Sequence, residues 1–217
     1  MTQDQKPILY SYWRSSCSWR VRIALAIKGI DYEYRTVNLL SAEDLNNEEF
    51  VKVNPAKRVP AYVVNGQPIT ESLAIIEYLE DTHPEKSLFP KDPIKKAQAR
   101  EIALYITSGI QPLQNLTVIK VLNAKEPGSG AKWSAHWLTV GLTVLEEMLA
   151  QHAGKYCVGD EVSIADLCIP SLVYNATRFK VDTTPFPIVN RINASLAEIP
   201  AFKAATPDNQ PDAGLNA

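Results

Sequence analysis

The hydrophobic rhythm of the chain changes once. The first 82 residues alternate short strand-like runs with helical stretches, and everything beyond about residue 92 is patterned as helix. A chain of 217 residues also exceeds the usual single-domain size of about 100–150 residues, so the break predicts two domains, 1–83 and 92–217. Hydrophobic residues at 46% and charged residues at 21% suffice for two buried cores.

In the first part, Ile8 to Trp13 is a short aromatic-rich run suited to a strand. Trp19 to Lys28 follows as a helix with Val21, Ile23, Ala24, Leu25 and Ile27 on most sides, and Gly29 stands where a left-handed residue would end it. Tyr32 to Leu39 reads as a second strand, giving a right-handed βαβ unit. Ala61–Val64 and Gln67–Thr70 flank Asn65-Gly66, the pair that supplies both positive-φ positions of a type I′ hairpin turn. Ser72 to Leu79 restarts a helix with Leu73, Ile76 and Leu79 on one face. The order βαβ, helix, ββα is that of a thioredoxin-like α/β domain.

Residues 83–93, with three prolines, read as a linker. Beyond them the pattern predicts one long helix from Pro93 to about Asn123, broken by Glu126-Pro127-Gly128-Ser129-Gly130. A second helix, Trp133 to His152, would bury Trp137, Val140, Val144 and Leu145. A third begins at Ser163, a shorter one spans Ile188 to Leu196, and the tail from Thr206 reads as coil, so this half is an all-α bundle. Ser163 and Asp166 form a variant capping box between Val162 and Leu167, a structural device. Pro170 falls inside the third helix, where it is expected to kink the chain.

A formal charge of −2 and a pI near 6.0 supply no general attraction for nucleic acid or anionic lipid. Three cysteines, Cys17, Cys157 and Cys168, form no CxxC or zinc-ligand spacing, which points to a reducing compartment and implies no metal. With no presequence pattern and no apolar run near the roughly 20 residues of a membrane helix, the expected location is the cytosol, a mitochondrial pool being left open.

The chemistry is expected where Arg14-Ser15-Ser16-Cys17-Ser18-Trp19-Arg20 joins the first strand to the first helix. A helix N-terminus favours negative charge, and a thioredoxin-like fold places a reactive CxxC there. Here the four positions read S-S-C-S, so a hydroxyl stands where the first cysteine would be, ready to donate to a sulfur brought by a ligand. A serine before a helix is ordinarily only a cap, and Cys17 is ordinarily an inert small hydrophobe. Against that, Arg14 and Arg20 flank Cys17 at the helix start.

Val59-Pro60 precedes the hairpin, where a cis bond would expose the valine backbone. Glu71-Ser72 opens the next helix: Ser72 with helix-start amides suits a carboxylate and Glu71 suits an ammonium, the two charges of a γ-glutamyl group. Gln111 and Asn115 lie four apart on one face of the predicted long helix, and Arg178 ends the third helix, where it suits a substrate carboxylate or the helix dipole.

SSCSWRVRIALAIKG (15–29), NPAKRVPAYVVNGQPITESLAIIEYLE (54–80), GIQPLQNL (109–116), YCVGDEVSIADLC (156–168) and NATRFKVD (175–182) together resemble the zeta class of glutathione S-transferases, the maleylacetoacetate isomerases. The resemblance covers nearly the whole chain and implies glutathione S-transferase architecture. It implies glutathione as cofactor, held at the γ-glutamyl end by Glu71 and Ser72 and at the cysteinyl backbone by Val59 before Pro60. It places the sulfur near the catalytic candidates Ser15, Ser16 and Cys17. Gln111 and Asn115 join the cofactor-binding set, and Arg178 and Arg14 are the substrate-binding candidates. Relatives often carry Gln at the position of Glu71, which keeps an ammonium contact here, and residues 41–49 match poorly and receive no ligand contact.

The implied activity is glutathione-dependent cis–trans isomerisation of maleylacetoacetate to fumarylacetoacetate in tyrosine and phenylalanine catabolism, with transfer to small α-halo acids as a companion activity and a homodimer as the expected assembly. Thiol-disulfide exchange through Cys17 and a non-catalytic glutathione-fold module are the alternatives. The intact Ser15, Val59-Pro60 and Glu71-Ser72 set argues against the latter.

Overall fold

Parallel pairing of β1 (Ile8–Ser11) with β2 (Glu33–Thr36) is what the α1 crossover (Ser16–Lys28) between them permits. The computed structural model describes residues 6–215. β3 (Ala61–Val64) runs antiparallel to β1, and β4 (Gln67–Thr70) antiparallel to β3, so the sheet order is β2-β1-β3-β4. Pro68, which has no N–H for a ladder, lies on the edge strand β4. Asn65 and Gly66 have φ of 50° and 74°, the expected type I′ turn.

α1 starts three residues earlier than its apolar pattern suggested, because Ser15 caps it: the Ser15 hydroxyl accepts from the Ser18 amide at 3.2 Å. It stops at Gly29, whose φ of 69° lets Gly29 N bond Ala26 O and Ile30 N bond Leu25 O. β2 is shorter than expected. It ends at Thr36, after which the chain turns at Asn38 toward two short helices, α2 (Ala42–Leu45) and α3 (Glu48–Val53), capped by Ser41 and Asn47.

Strand alternation sorts the core. Tyr10, Tyr12, Val37, Phe50, Val59 and Ala61 form a buried cluster joined by Ile8 and Val63, so α3 covers one face of the sheet through Phe50. Leu9, Ser11 and Tyr62 alternate to the other face, where Arg22 of α1 reaches Ser11 and Tyr78 of α4 (Ser72–Thr82) meets the Tyr62 ring. α1 and α4 pack together, and a 2.8 Å ion pair of Lys28 with Glu80 ties their C-terminal ends.

Compactness divides the chain differently from a single cut near residue 90. One unit runs to Ser87 and takes back the chain from Ile199 onward; the other is Leu88–Glu198. The returning segment is ordered: after α10 (Pro200–Ala204), which packs on α1, a 3-10 turn at Pro207–Asn209 replaces the coil expected from Thr206. Phe202 and Ala205 are buried, and the buried Arg22 guanidinium donates to Ala205 O at 3.2 and 3.3 Å.

The helical unit corrects several expectations. The single helix over 93–123 is three pieces: α5 (Pro93–Leu104) widens into a π-turn over Tyr105–Ile110, tightens into a 3-10 turn over Gln111–Gln114, and restarts as α6 (Leu116–Lys125). Pro112 has no N–H to continue the ladder, and Asn115, extended at φ −63° and ψ 144°, caps α6 by accepting from Thr117 N at 3.1 Å. α7 (Ser129–His152) buries Ser134, Leu138, Gly141, Leu142, Leu145 and Leu149; of the predicted stripe Leu145 is buried and Trp137 half-buried, whereas Val140 and Val144 are exposed.

The third helix does not start at Ser163 but runs as α8 (Ile169–Arg178) after a 3-10 turn at Asp166–Cys168. Pro170 therefore sits in the first turn of α8, where the missing N–H has no intrahelical partner, and no kink is needed. α9 (Pro187–Ala197) follows, its start capped by the Glu146 carboxylate, which accepts from Ile188 N at 2.7 Å and Val189 N at 3.0 Å. No helix among the described residues is long and apolar enough to cross a membrane.

Candidate active site

The register of the sheet brings the candidate segments of the first unit to one edge. Tyr10 pairs with Ala61 and Ala61 with Thr70. The chain leaving β1 toward Ser15, the chain entering β3 through Val59-Pro60, and the chain leaving β4 into Glu71-Ser72 thus lie at the same end of three neighbouring strands.

At the β1–α1 junction, Arg14, Ser15, Ser16 and Cys17 are half-buried. Ser15 is both the ordinary cap and the proposed donor, since a hydroxyl that accepts from Ser18 N keeps its own hydrogen for a second partner. The positive end of the α1 dipole lies at the same point. The Val59–Pro60 peptide is cis and both residues are buried.

Glu71 stands at φ 67° and ψ 122°, a left-handed region that a glutamate occupies at a cost of about 1–3 kcal/mol. Strain of that size is retained where the surroundings need it, and here it holds an exposed carboxylate beside a helix start. No side chain caps α4, so its first-turn amides face the position where a ligand carboxylate would sit.

Arg20 is a residue that reading the sequence placed only as a flanking charge. It is 1% exposed, and its Nη1 donates to Ser72 Oγ at 3.3 Å and Cys17 Sγ at 3.6 Å. Its Nε and Nη2 are buried and make no hydrogen bond among the described residues. A buried guanidinium paired with no carboxylate is costly, and this one ties the α1 start to the α4 start. Ser72, accepting from Arg20, keeps its hydrogen for a ligand oxygen. The signal in the sequence was a pair of arginines, Arg20 and Arg22, inside a helix buried on nearly every side.

In the second unit, Gln111 and Asn115 do not share one helical face. Gln111 opens the 3-10 turn, and the Asn115 side chain is engaged by Thr117 N and Thr117 Oγ1. Arg178 is the last residue of α8, with its guanidinium 5.1 Å from the Phe179 ring centroid. Arg14 lies 5.1 Å from the Trp13 ring centroid in the same way. Among the described residues no group of His, Cys, Asp or Glu is placed to hold a metal.

Family models agree with both units: residues 6–81 match the glutathione S-transferase N-terminal domain and residues 119–205 its C-terminal domain. The chain belongs to the glutathione S-transferase family. It is 63% identical, over 99% of both chains, to the Caenorhabditis elegans protein named "Probable maleylacetoacetate isomerase". Among solved structures, the maleylacetoacetate isomerase of Anaeromyxobacter dehalogenans with glutathione bound in its active site superposes with a TM-score of 0.86 at 39% identity, covering 97% of this chain and 99% of that one. A bacterial maleylpyruvate isomerase described as a zeta-class glutathione S-transferase superposes with a TM-score of 0.90 at 34% identity, covering 95% of this chain and all of the other.

The residues fit glutathione. An uncapped helix start with Ser72 suits an α-carboxylate such as that of a γ-glutamyl group, the exposed Glu71 carboxylate suits an ammonium, and the Ser15 hydroxyl has a hydrogen left for a sulfur.

Proposed function

We infer that this protein is a glutathione-dependent enzyme that isomerises the cis double bond of maleylacetoacetate, giving fumarylacetoacetate. The observation that carries this reading is the cluster of Ser15, Cys17, Arg20 and Ser72 at two helix starts, a site for an anionic sulfur and a carboxylate together. When bound, glutathione would supply a sulfur nucleophile whose reversible addition to the double bond, with expulsion after rotation about the resulting single bond, interconverts the cis and trans forms and returns the thiol.

A free thiol with a pKa near 8.5 is only about 3% ionised at pH 7, and lowering that value by two units takes about 2.7 kcal/mol of preference for the anion. The Ser15 hydroxyl and the α1 dipole are of the right size together: a hydrogen bond to a charged group contributes about 1.5–3 kcal/mol and a helix terminus about 0.3–1 kcal/mol or more. Ser16 and Cys17 complete the turn that holds the sulfur, Cys17 as a supporting group. Val59 is assigned the cysteinyl backbone. Arg178, Arg14, Gln111 and Asn115 are proposed contacts for the substrate or the remainder of the cofactor, and a cytosolic homodimer is the proposed form of the enzyme.

The assay is isomerisation of maleylacetone with catalytic glutathione, beside dehalogenation of dichloroacetate. Turnover without net consumption of glutathione is expected for the first; no turnover of either would overturn the reading. Thiol-disulfide exchange is separated by Cys17→Ala, which abolishes a reductase but spares the isomerase. The other two cysteines are fully buried, so no second thiol is exposed to complete a dithiol exchange.

Arg20→Met keeps the stem and removes the donors. The expected result is a KM for glutathione raised about tenfold or more, from a charge-assisted contact of about 1.5–3 kcal/mol, with a thermal midpoint equal to or above that of the parent because an unpaired buried charge is gone. A large drop in midpoint with KM unchanged would make Arg20 a purely structural residue.

A further inference from the structure

The loop that delivers Ser15 is held by the far end of the chain. Between β1 and α1 the only backbone hydrogen bond inside the loop is Ser15 N to Tyr12 O at 3.0 Å among the described residues. The Asp212 carboxylate accepts from Trp13 N at 3.0 Å with one oxygen and from the Tyr34 hydroxyl at 2.6 Å with the other. The carbonyl of Leu215 accepts from the Trp13 indole at 3.0 Å and the Tyr12 hydroxyl at 3.3 Å. From the α1 side, Arg22 donates to Tyr12 O at 3.2 Å and Trp13 O at 2.9 Å while also holding Ala205 O.

Trp13 is thus bonded through its amide, its carbonyl and its indole, and two of those three bonds end on the last residues described. Asp212 is 9% exposed and Arg22 1%, so the two charges act on the loop with little screening. Trp13 lies two residues before Ser15, and a displacement on the order of 1 Å in a positioning element costs about a hundredfold in rate.

We propose that Asp212 is a positioning residue for the thiol site: the segment from Ala205 to Leu215 is a strap that fixes the Tyr12–Ser15 loop so that the Ser15 hydroxyl is aimed at the sulfur. The inference rests on the reading of Ser15 as the sulfur's donor. Asp212 touches no reacting atom; it acts through the Trp13 amide. Shape alone would leave the acidity of bound glutathione unaffected by changes at Asp212, whereas a positioning role makes it depend on them.

The test compares the parent, Asp212→Ala and Asp212→Asn in the pH dependence of kcat/KM for maleylacetone and in the ultraviolet titration of the bound thiol. For Asp212→Ala with native circular dichroism, the acid limb is expected to move up by about one pH unit, which is about a tenfold loss of kcat/KM below it. Asp212→Asn retains an acceptor for Trp13 N without the charge and is expected to move the limb the same way by a smaller amount, about threefold in kcat/KM. An unmoved limb in a folded variant overturns the proposal, and if Asp212→Ala fails to fold the Asn variant decides alone. Failure of the parent to bind glutathione would instead sink the functional reading, which separates the two.

Discussion

Ser15→Ala is expected to lower kcat/KM for isomerisation by about 10²–10³, the usual effect of removing one donor aimed at a developing anion. The same substitution removes the α1 cap, which costs about 1 kcal/mol of stability. That loss is small against the roughly 5–15 kcal/mol that hold a domain, so the variant stays folded and the two consequences separate. Ser15→Thr keeps both the cap and a hydroxyl, and retains more activity than alanine. The measurement is kcat/KM against pH with a denaturation curve on the same samples. Near-parent activity in the alanine variant would remove Ser15 from the chemistry and return it to the role of a simple cap.

Asp166→Ala is expected to be the most destabilising single substitution in the helical unit, by about 3–5 kcal/mol. Its carboxylate is fully buried and accepts from Cys157 N at 2.9 Å, Ser163 N at 2.8 Å and Ser163 Oγ at 3.0 Å. Alanine would leave three buried donors without an acceptor, at about 1–3 kcal/mol each before relaxation. Burial pushes the Asp166 carboxyl up from its ordinary value, and the donors from Cys157 and Ser163 oppose that shift. Urea denaturation followed by tryptophan fluorescence measures the loss, and a change below 1 kcal/mol would show that the loop at 156–163 is held by other contacts.

The parts legible in the sequence were those set by local rules. Asn65-Gly66 fixed the hairpin and its register, Gly29 ended α1, and Ser15 began it as a cap. Glu71-Ser72 was legible as a helix start, but the left-handed backbone of Glu71 was not, because nothing local favours it. The long helix over 93–123 failed for a definable reason: hydrophobic period over so short a stretch does not distinguish a π-turn and a 3-10 turn from α-helix, although Pro112 was a visible warning.

The Asp212 strap was out of reach because its partners lie about 200 positions away, and the tail has the polar, Pro/Asp/Asn composition of a coil. Arg20 and Arg22 showed in the sequence only as two arginines inside an otherwise apolar helix, and the groups they hold were not legible from pattern alone. Sequence patterning singled out the candidate turn at Ser15 but not the long-range bonds that hold it.

Because the unit that carries Ser15 takes its last piece from the C-terminus, synthesis at the ribosome cannot finish it in order. A polypeptide emerging N-terminus first, at about 5–20 residues per second, makes the whole of Leu88–Glu198 before Phe202, Ala205 and Asp212 exist to close over Trp13 and Arg22. Nascent chains stalled before Ile199 have every residue assigned to glutathione yet lack the clamp on the turn that uses it. A site built on Ser15 therefore gains its clamp only after the whole of Leu88–Glu198 has been made.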